Sequence, residues 1–192
     1  GIDLDFYKPT GQKRNERFLF LARFSSIKGA DLAINACKAA SASLDLIGDT
    51  SITNEPDYFN ACKQQCDGRD LRMVGPAARG ECVMWYGKNF CFLHPTIRFR
   101  EPFGLAPVEA QACGMPVIGW KKGALPETVI PGETGYLVSS EEDLLNRIRQ
   151  VLHVGISDKT RERCRENASR FSIQSMVLRY QDLCQEAIEG GW

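Results

Sequence analysis

The sequence has 192 residues, 43% of them hydrophobic, with 24 basic and 24 acidic side chains and a formal net charge of zero. That length supports one sizeable core, and the charge balance gives no general reason to bind nucleic acid or an anionic membrane. No apolar run approaches the roughly 20 residues that a membrane-spanning helix needs.

The opening stretch, "GIDLDFYKPTGQKRNER", reads as a polar connector over 1–17. It has neither an initiator Met nor a signal peptide, so the chain is expected to be a fragment or a processed piece. "RFLFLAR" follows as a compact apolar strand over 18–22, and "GADLAINACKAA" has helical spacing. "LDLIG" (44–48) and "LRMVG" (71–75) read as strands, separated by a helix over 55–66 with Pro in its first turn. "GECVMWYGK" reads as a short helix, and "CFLHP" (91–95) as a strand stopped by Pro. A helix then starts near Gly104, with Pro107 in its first turn, and Gly114 and Pro116 end it. "PVIGW" is a strand, "LPETV" a short helical turn and "GYLV" (135–138) the last strand. Helices are expected near 140–153, 158–167 and 173–189.

Strands and helices thus alternate, and the strands are continuous apolar runs, as expected for a sheet buried on both faces. The fold class is therefore α/β, a parallel sheet of about six strands wrapped by helices. Ligands of such sheets bind beyond the carboxyl ends of the strands, at a topological switch point. Eight cysteines, with no C-x-x-C pair, sit mostly among apolar residues. They read as buried thiols in a reducing cytosol. Cys62 and Cys66 alone cannot close a tetrahedral shell, so no metal is expected.

The loops after the strands carry the chemistry. No G-x-G-x-x-G and no Walker sequence occurs, which removes the main support for a dinucleotide cofactor. Instead Arg23 and Lys28 bracket the loop after the first strand. They are either solvated cations or a grip for phosphate oxygens, helped by the following helix N-terminus. In "EPFGLAPVEAQACGMPVIGW", Glu101 and Glu109 lie eight positions apart around a helix start whose free amides at Gly104 and Leu105 suit an anion. The expectation places Glu109 in the first helical turn, where the dipole keeps it ionised. Ionised carboxylates only accept, so both acids suit hydroxyls of a ribose or hexose. A nucleotide sugar, with a diphosphate between two polyols, satisfies both acids and both cations. The plainer readings are a helix acid for Glu109, and for Glu101 a loop acid paired with Arg98 or Arg100. His94, at a strand end, reads as lining the cleft or as structural.

Together "LARFSSIKGAD", "LRMVG", "EPFGLAPVEAQACGMPVIG", "KGALPETVIPGETGYLV" and "FSIQSMVLRYQDLC" resemble the C-terminal, donor-binding domain of retaining group 1 glycosyltransferases. Ala22 stands where the family usually has Gly, and Ile173 where it often has Trp. The resemblance implies a Rossmann-like half of a GT-B fold over 18–170. A C-terminal helix over 171–192 would pack toward an N-terminal domain. It implies that Arg23 and Lys28 bind the donor diphosphate and that Gly104 and Leu105 assist. Glu101 would hold the donor sugar, Glu109 the ribose, and the backbone at Met73 and Val74 the base. Phe103 and His94 are further substrate-binding candidates. The implied reaction is retaining hexosyl transfer from a UDP- or GDP-sugar to a carbohydrate or lipid-linked acceptor, without metal or cofactor. The acceptor would be held by the N-terminal half, so the isolated chain is expected to be inactive. A cytoplasmic location is expected, possible also at the membrane face. Rival readings are a non-catalytic sugar-nucleotide-binding module and an epimerase or phosphorylase on the same fold.

Overall fold

The computed structural model describes residues 1–51 and 53–190. Its strands are β1 (Phe18–Leu21), β2 (Leu44–Ile47), β3 (Leu71–Gly75), β4 (Cys91–His94), β5 (Val117–Trp120) and β6 (Gly135–Val138). All pair in parallel, in the order β3-β2-β1-β4-β5-β6. This is the doubly wound order, with its switch point between β1 and β4. The helices are α1 (Ala30–Ala39), α2 (Pro56–Gln64), α3 (Arg79–Lys88), α4 (Leu105–Ala112), α5 (Leu125–Thr128), α6 (Glu141–Val154), α7 (Asp158–Ser169) and α8 (Ile173–Ile188).

The apolar strand runs fill both faces of the sheet. Phe18 and Phe20 of β1 pack into one core with Ile34 of α1 and Ile148 of α6. Leu19, between them, packs into the other with Tyr86 of α3, Val108 of α4 and Ala168 of α7. Opposite faces for successive residues are the period-2 geometry of a strand. Burial of a large apolar side chain contributes roughly 1.5–3 kcal/mol each, so two such layers make a self-supporting core.

Local chemistry sets several boundaries. Pro56 opens α2, where its missing N–H is not needed. Ser140, Ser157 and Ser172 cap α6, α7 and α8, each hydroxyl accepting from the amide three residues on. Gly104, at φ 76°, is the N-cap of α4, and Gly114 follows its end at φ 74°, both left-handed positions that favour glycine.

The first 17 residues are more than a polar connector. Ile2 and Tyr7 are buried, and Ile2 is laced to the start of α8 by Ile2 N–H to Phe171 O and Ile173 N–H to Ile2 O, both 2.9 Å. Arg14 donates to the carbonyls of Tyr86, Asn89 and Cys113. The apolar side chains that anchor this segment are spaced too widely to register as an element. The expected terminal segment 171–192 is seen as α8, while Gly191 and Trp192 lie outside the described residues. No residue of α8 is buried; Leu178 and Tyr180 are 60% and 64% exposed.

A carboxylate lies inside the sheet. Asp45 of β2 is fully buried and accepts from Arg17 Nε, Arg72 Nε and Asn89 Nδ2, each at 2.8 Å. All eight cysteines are free thiols. Burial pushes Cys113 and Cys164 up to about 12, which leaves them as inert packing groups.

Candidate functional site

The switch point brings two loops together. The loop after β1 carries Arg23, exposed to solvent, and a 3-10 turn over Ser26–Lys28. Glu55, at the start of α2, holds that loop: Ser25 Oγ donates to its Oε1 at 2.6 Å and Ser26 N–H to its Oε2 at 2.8 Å. These bonds hold the Glu55 carboxyl below the usual carboxylate range. Gly29 closes the turn at φ 75°, and a Cβ there would stand 2.4 Å from the Pro95 carbonyl oxygen. Only glycine lets this loop approach the end of β4 so closely.

The loop after β4 carries Arg98, Glu101, Phe103 and Gly104. Arg98 clamps Asp31 of α1 through both guanidinium nitrogens, at 3.1 and 2.9 Å, and donates to Ser26 O at 2.7 Å. Burial of Asp31 opposes its charge, but the bonds from Arg98 and Tyr58 win and hold its carboxyl low. Arg98 is therefore not the partner of Glu101. Glu101 forms an ion pair with Lys28, and its carbonyl accepts from Ala124 N–H, just before α5, at 3.0 Å. The two loops of the switch point thus meet in one salt bridge.

The start of α4 lies directly beyond Glu101. Gly104 contributes no side-chain cap, and no acid occupies the first turn. The amides there are free to face an anion. This corrects the expectation for Glu109. It lies beyond the first turn, because α4 begins at Leu105. Nor does the dipole dominate its charge state: burial raises the Glu109 carboxyl, against the bonds from Tyr7 and Tyr86. Tyr86, fully buried in α3, donates to Glu109 Oε2 at 3.1 Å. Tyr7 stands beside the same carboxylate, with Arg79 Nε donating to its hydroxyl at 3.4 Å. Burial, offset partly by Arg79, pushes the Tyr7 phenol up to about 12.

His94 ends β4. It is buried, stacked on Phe92 with ring centroids 6.2 Å apart, and its Nε2 has no hydrogen-bond partner among the described residues. Burial lowers it to about 4 despite the nearby Glu101, so the ring is neutral at pH 7. Met73 and Val74 lie near the end of β3, with β2 and β1 between it and β4; Val74 is 45% exposed. Phe103, the further substrate-binding candidate, packs its ring edge-on against Phe171, centroids 5.8 Å apart, just before α8.

The structure therefore gathers Arg23, Lys28, Glu101, Gly104, Leu105 and His94 at the neighbouring ends of β1 and β4. Glu109, Met73 and Val74 extend that edge. Sequence reading missed Tyr7, Arg79, Tyr86 and Glu55. Tyr86 belongs to a helix whose apolar pattern explains its burial, and nothing local marks its hydroxyl. Chemically, the edge offers two cations, a helix start and neutral or acidic acceptors: a site for a phosphate flanked by hydroxyls. Among the described residues no cluster of three or more His, Cys, Asp or Glu is placed to hold a metal.

Likeness to known proteins agrees with this fold and places the chain in a family. The sequence model described as glycosyl transferases group 1 matches residues 3–171. D-inositol 3-phosphate glycosyltransferase 1 of Catenulispora acidiphila is 29% identical over 219 residues, covering 100% of this chain and 51% of that protein. Sucrose-phosphate synthase of Thermosynechococcus elongatus has a TM-score of 0.83 at 25% identity, covering 99% of this chain and 52% of that one. HepE of Anabaena, solved with UDP, has a TM-score of 0.84 at 23% identity, covering 97% of this chain and 56% of that one. The chain spans about half the length of the relatives it matches.

Proposed function

The chain belongs to the group 1 glycosyl transferases, and from that premise we propose that it is the C-terminal, donor-binding half of a retaining hexosyltransferase with a GT-B fold. Its donor is a nucleoside diphosphate sugar. The observation that carries the reading is the meeting of the two switch-point loops in the Lys28–Glu101 pair, beside the uncapped start of α4.

In this reading Arg23, Lys28 and the amides of Gly104 and Leu105 hold the diphosphate. Lys28 exchanges its contact with Glu101 for the phosphate oxygens when donor binds. Freed of that partner, Glu101 accepts hydroxyls of the transferred sugar. Glu109 accepts the ribose hydroxyls, the backbone at Met73 and Val74 meets the base, and neutral His94 lines the pocket near the sugar. As the glycosidic bond breaks, negative charge grows on the departing diphosphate. Fixed cations and a helix start stabilise that charge more than the ground state, which is what accelerates a reaction. The sugar passes to an acceptor hydroxyl with retention. The acceptor, a carbohydrate or a lipid-linked sugar, is held by an N-terminal half, onto which the exposed apolar side chains of α8 pack.

The experiment is a thermal-shift and calorimetric series with UDP, GDP, ADP and their glucose conjugates. One nucleotide family should stabilise the chain, by about 2.7 kcal/mol at 100 times its dissociation constant, and its sugar conjugate should bind through Glu101. Failure of every nucleotide to stabilise the protein would overturn the reading.

A further inference from the structure

The opposite edge of the sheet carries a second concentration of positive charge. In a parallel α/β layer the helices run back against the strands, so their carboxyl ends lie at the start of the strands. There a cavity of about 500 Å³ opens between the chain before β1, the ends of α3 and α4, and the start of α7. Arg14, Arg161 and Arg165 line it, with Thr10 and two acids, Asp158 and Glu162.

None of the ion pairs among the described residues engages any of the three arginines. Their partners are backbone carbonyls, at the ends of α3 and α4 and in the segment before β1. Arg14 caps Tyr86, Asn89 and Cys113; Arg165 donates to Tyr7 O, Ala112 O and Leu4 O at 2.7–3.0 Å. Arg161 has one long contact, 3.5 Å to Gly114 O, which leaves most of its five donors uncommitted. Burial, and then the charge of Arg161, pushes Arg14 down to about 10; burial lowers Arg161 as well. Asp158 offsets part of the Arg161 charge, but three arginines face two acids in the lining and Arg161 keeps donors to spare, which leaves room for an anion.

We propose that this cavity is a second ligand site, separate from the donor edge, that binds the phosphate group of a phosphorylated small molecule between Arg14 and Arg161. The largely uncommitted guanidinium fork of Arg161 matches two oxygens of a phosphate, while Arg14, which already donates to three carbonyls, contributes its charge. The volume lies within the range of small-molecule sites, about 300–1,000 Å³, and exceeds what a bare phosphate needs. The carboxylates of Asp158 and Glu162 line the rest of the cavity. They reject a second anionic group and accept hydroxyls, which favours a phosphate ester on a hydroxylated carrier.

The test is calorimetry with inorganic phosphate against chloride at matched ionic strength, run on the protein and on Arg161→Gln, Asp158→Asn and Lys28→Ala. Arg161 carries little of the fold, so its variant should keep the parental circular dichroism. Saturable phosphate binding should persist in Lys28→Ala, weaken at least tenfold in Arg161→Gln and tighten several-fold in Asp158→Asn. Absence of saturable binding would overturn the proposal, as would parental affinity in Arg161→Gln or unchanged affinity in Asp158→Asn. Loss of binding in Lys28→Ala would assign the phosphate to the donor edge instead. Because the readout uses no nucleotide, failure here leaves the donor reading untouched.

Discussion

The hydroxyl of Tyr86, fully buried in α3, donates to Glu109 Oε2 across 3.1 Å. This bond ties the helix after β3 to the helix after β4, at the residue assigned to the ribose. Tyr86→Phe deletes it and leaves a half-buried carboxylate short of a donor. Hydrogen bonds to charged groups contribute about 1.5–3 kcal/mol, so urea denaturation should show a loss of that order. UDP or GDP should also bind more weakly, by calorimetry. A Phe variant with parental stability and affinity would show that Tyr86 does not orient Glu109.

Lys28 and Glu101 should respond in opposite directions to plain nucleotide. Lys28→Ala should weaken nucleoside diphosphate binding by about 1.5–3 kcal/mol, the scale of a charge-assisted bond, and Arg23→Ala similarly. Glu101→Gln releases Lys28 from its ion pair, so plain nucleotide should bind as well as before or a few-fold tighter. The same variant should bind the nucleotide sugar more weakly, because it loses the charged acceptor for the sugar hydroxyls. Equal losses of plain nucleotide in the Lys28 and Glu101 variants would end this division of roles.

His94 predicts a pH dependence. Burial lowers it from 6.5 to about 4, so the unfolded chain binds its proton first as pH falls. Stability should therefore decline from pH 6.5 toward pH 4, by roughly 3 kcal/mol for this group alone. Glu109, raised by burial above its ordinary value of 4.5, acts with the opposite sign. Comparison with His94→Gln isolates the histidine: the variant should show a flatter stability profile across pH 4–6.5 by chemical denaturation. Parallel profiles would place His94 in a more open setting than the buried one described.

Asp45 should be the costliest polar position in the sheet. Asp45→Ala strips the partner from Arg17, Arg72 and Asn89 at once. Breaking a buried pair by removing one partner typically costs 3–5 kcal/mol; partial exposure of both arginines puts the expectation at the lower end. Asp45→Asn keeps an acceptor and should lose less. An Ala variant within about 0.5 kcal/mol of the parent would show that water replaces the carboxylate freely.

The sequence by itself determined the architecture. Apolar runs such as "FLFL" and "VIGW" and the helical spacing between them require a sheet covered on both faces, and the observed order has every strand parallel. The bounds of α4 were equally legible, because Gly104 and Gly114 act through their own backbone angles. Periodicity and caps are local physics, written among neighbours in the chain. The pairings were decided only in three dimensions. Lys28 meets Glu101 across 73 positions, and Arg98, nearer in sequence to Glu101, clamps Asp31 instead. Tyr7 reaches Glu109 from a segment that reads as a connector, and Arg14 and Arg161 converge from opposite ends of the chain. A long charged side chain has many possible partners in sequence. Which one it meets depends on strand order and on how closely two loops approach, and that approach is set by the packed sheet.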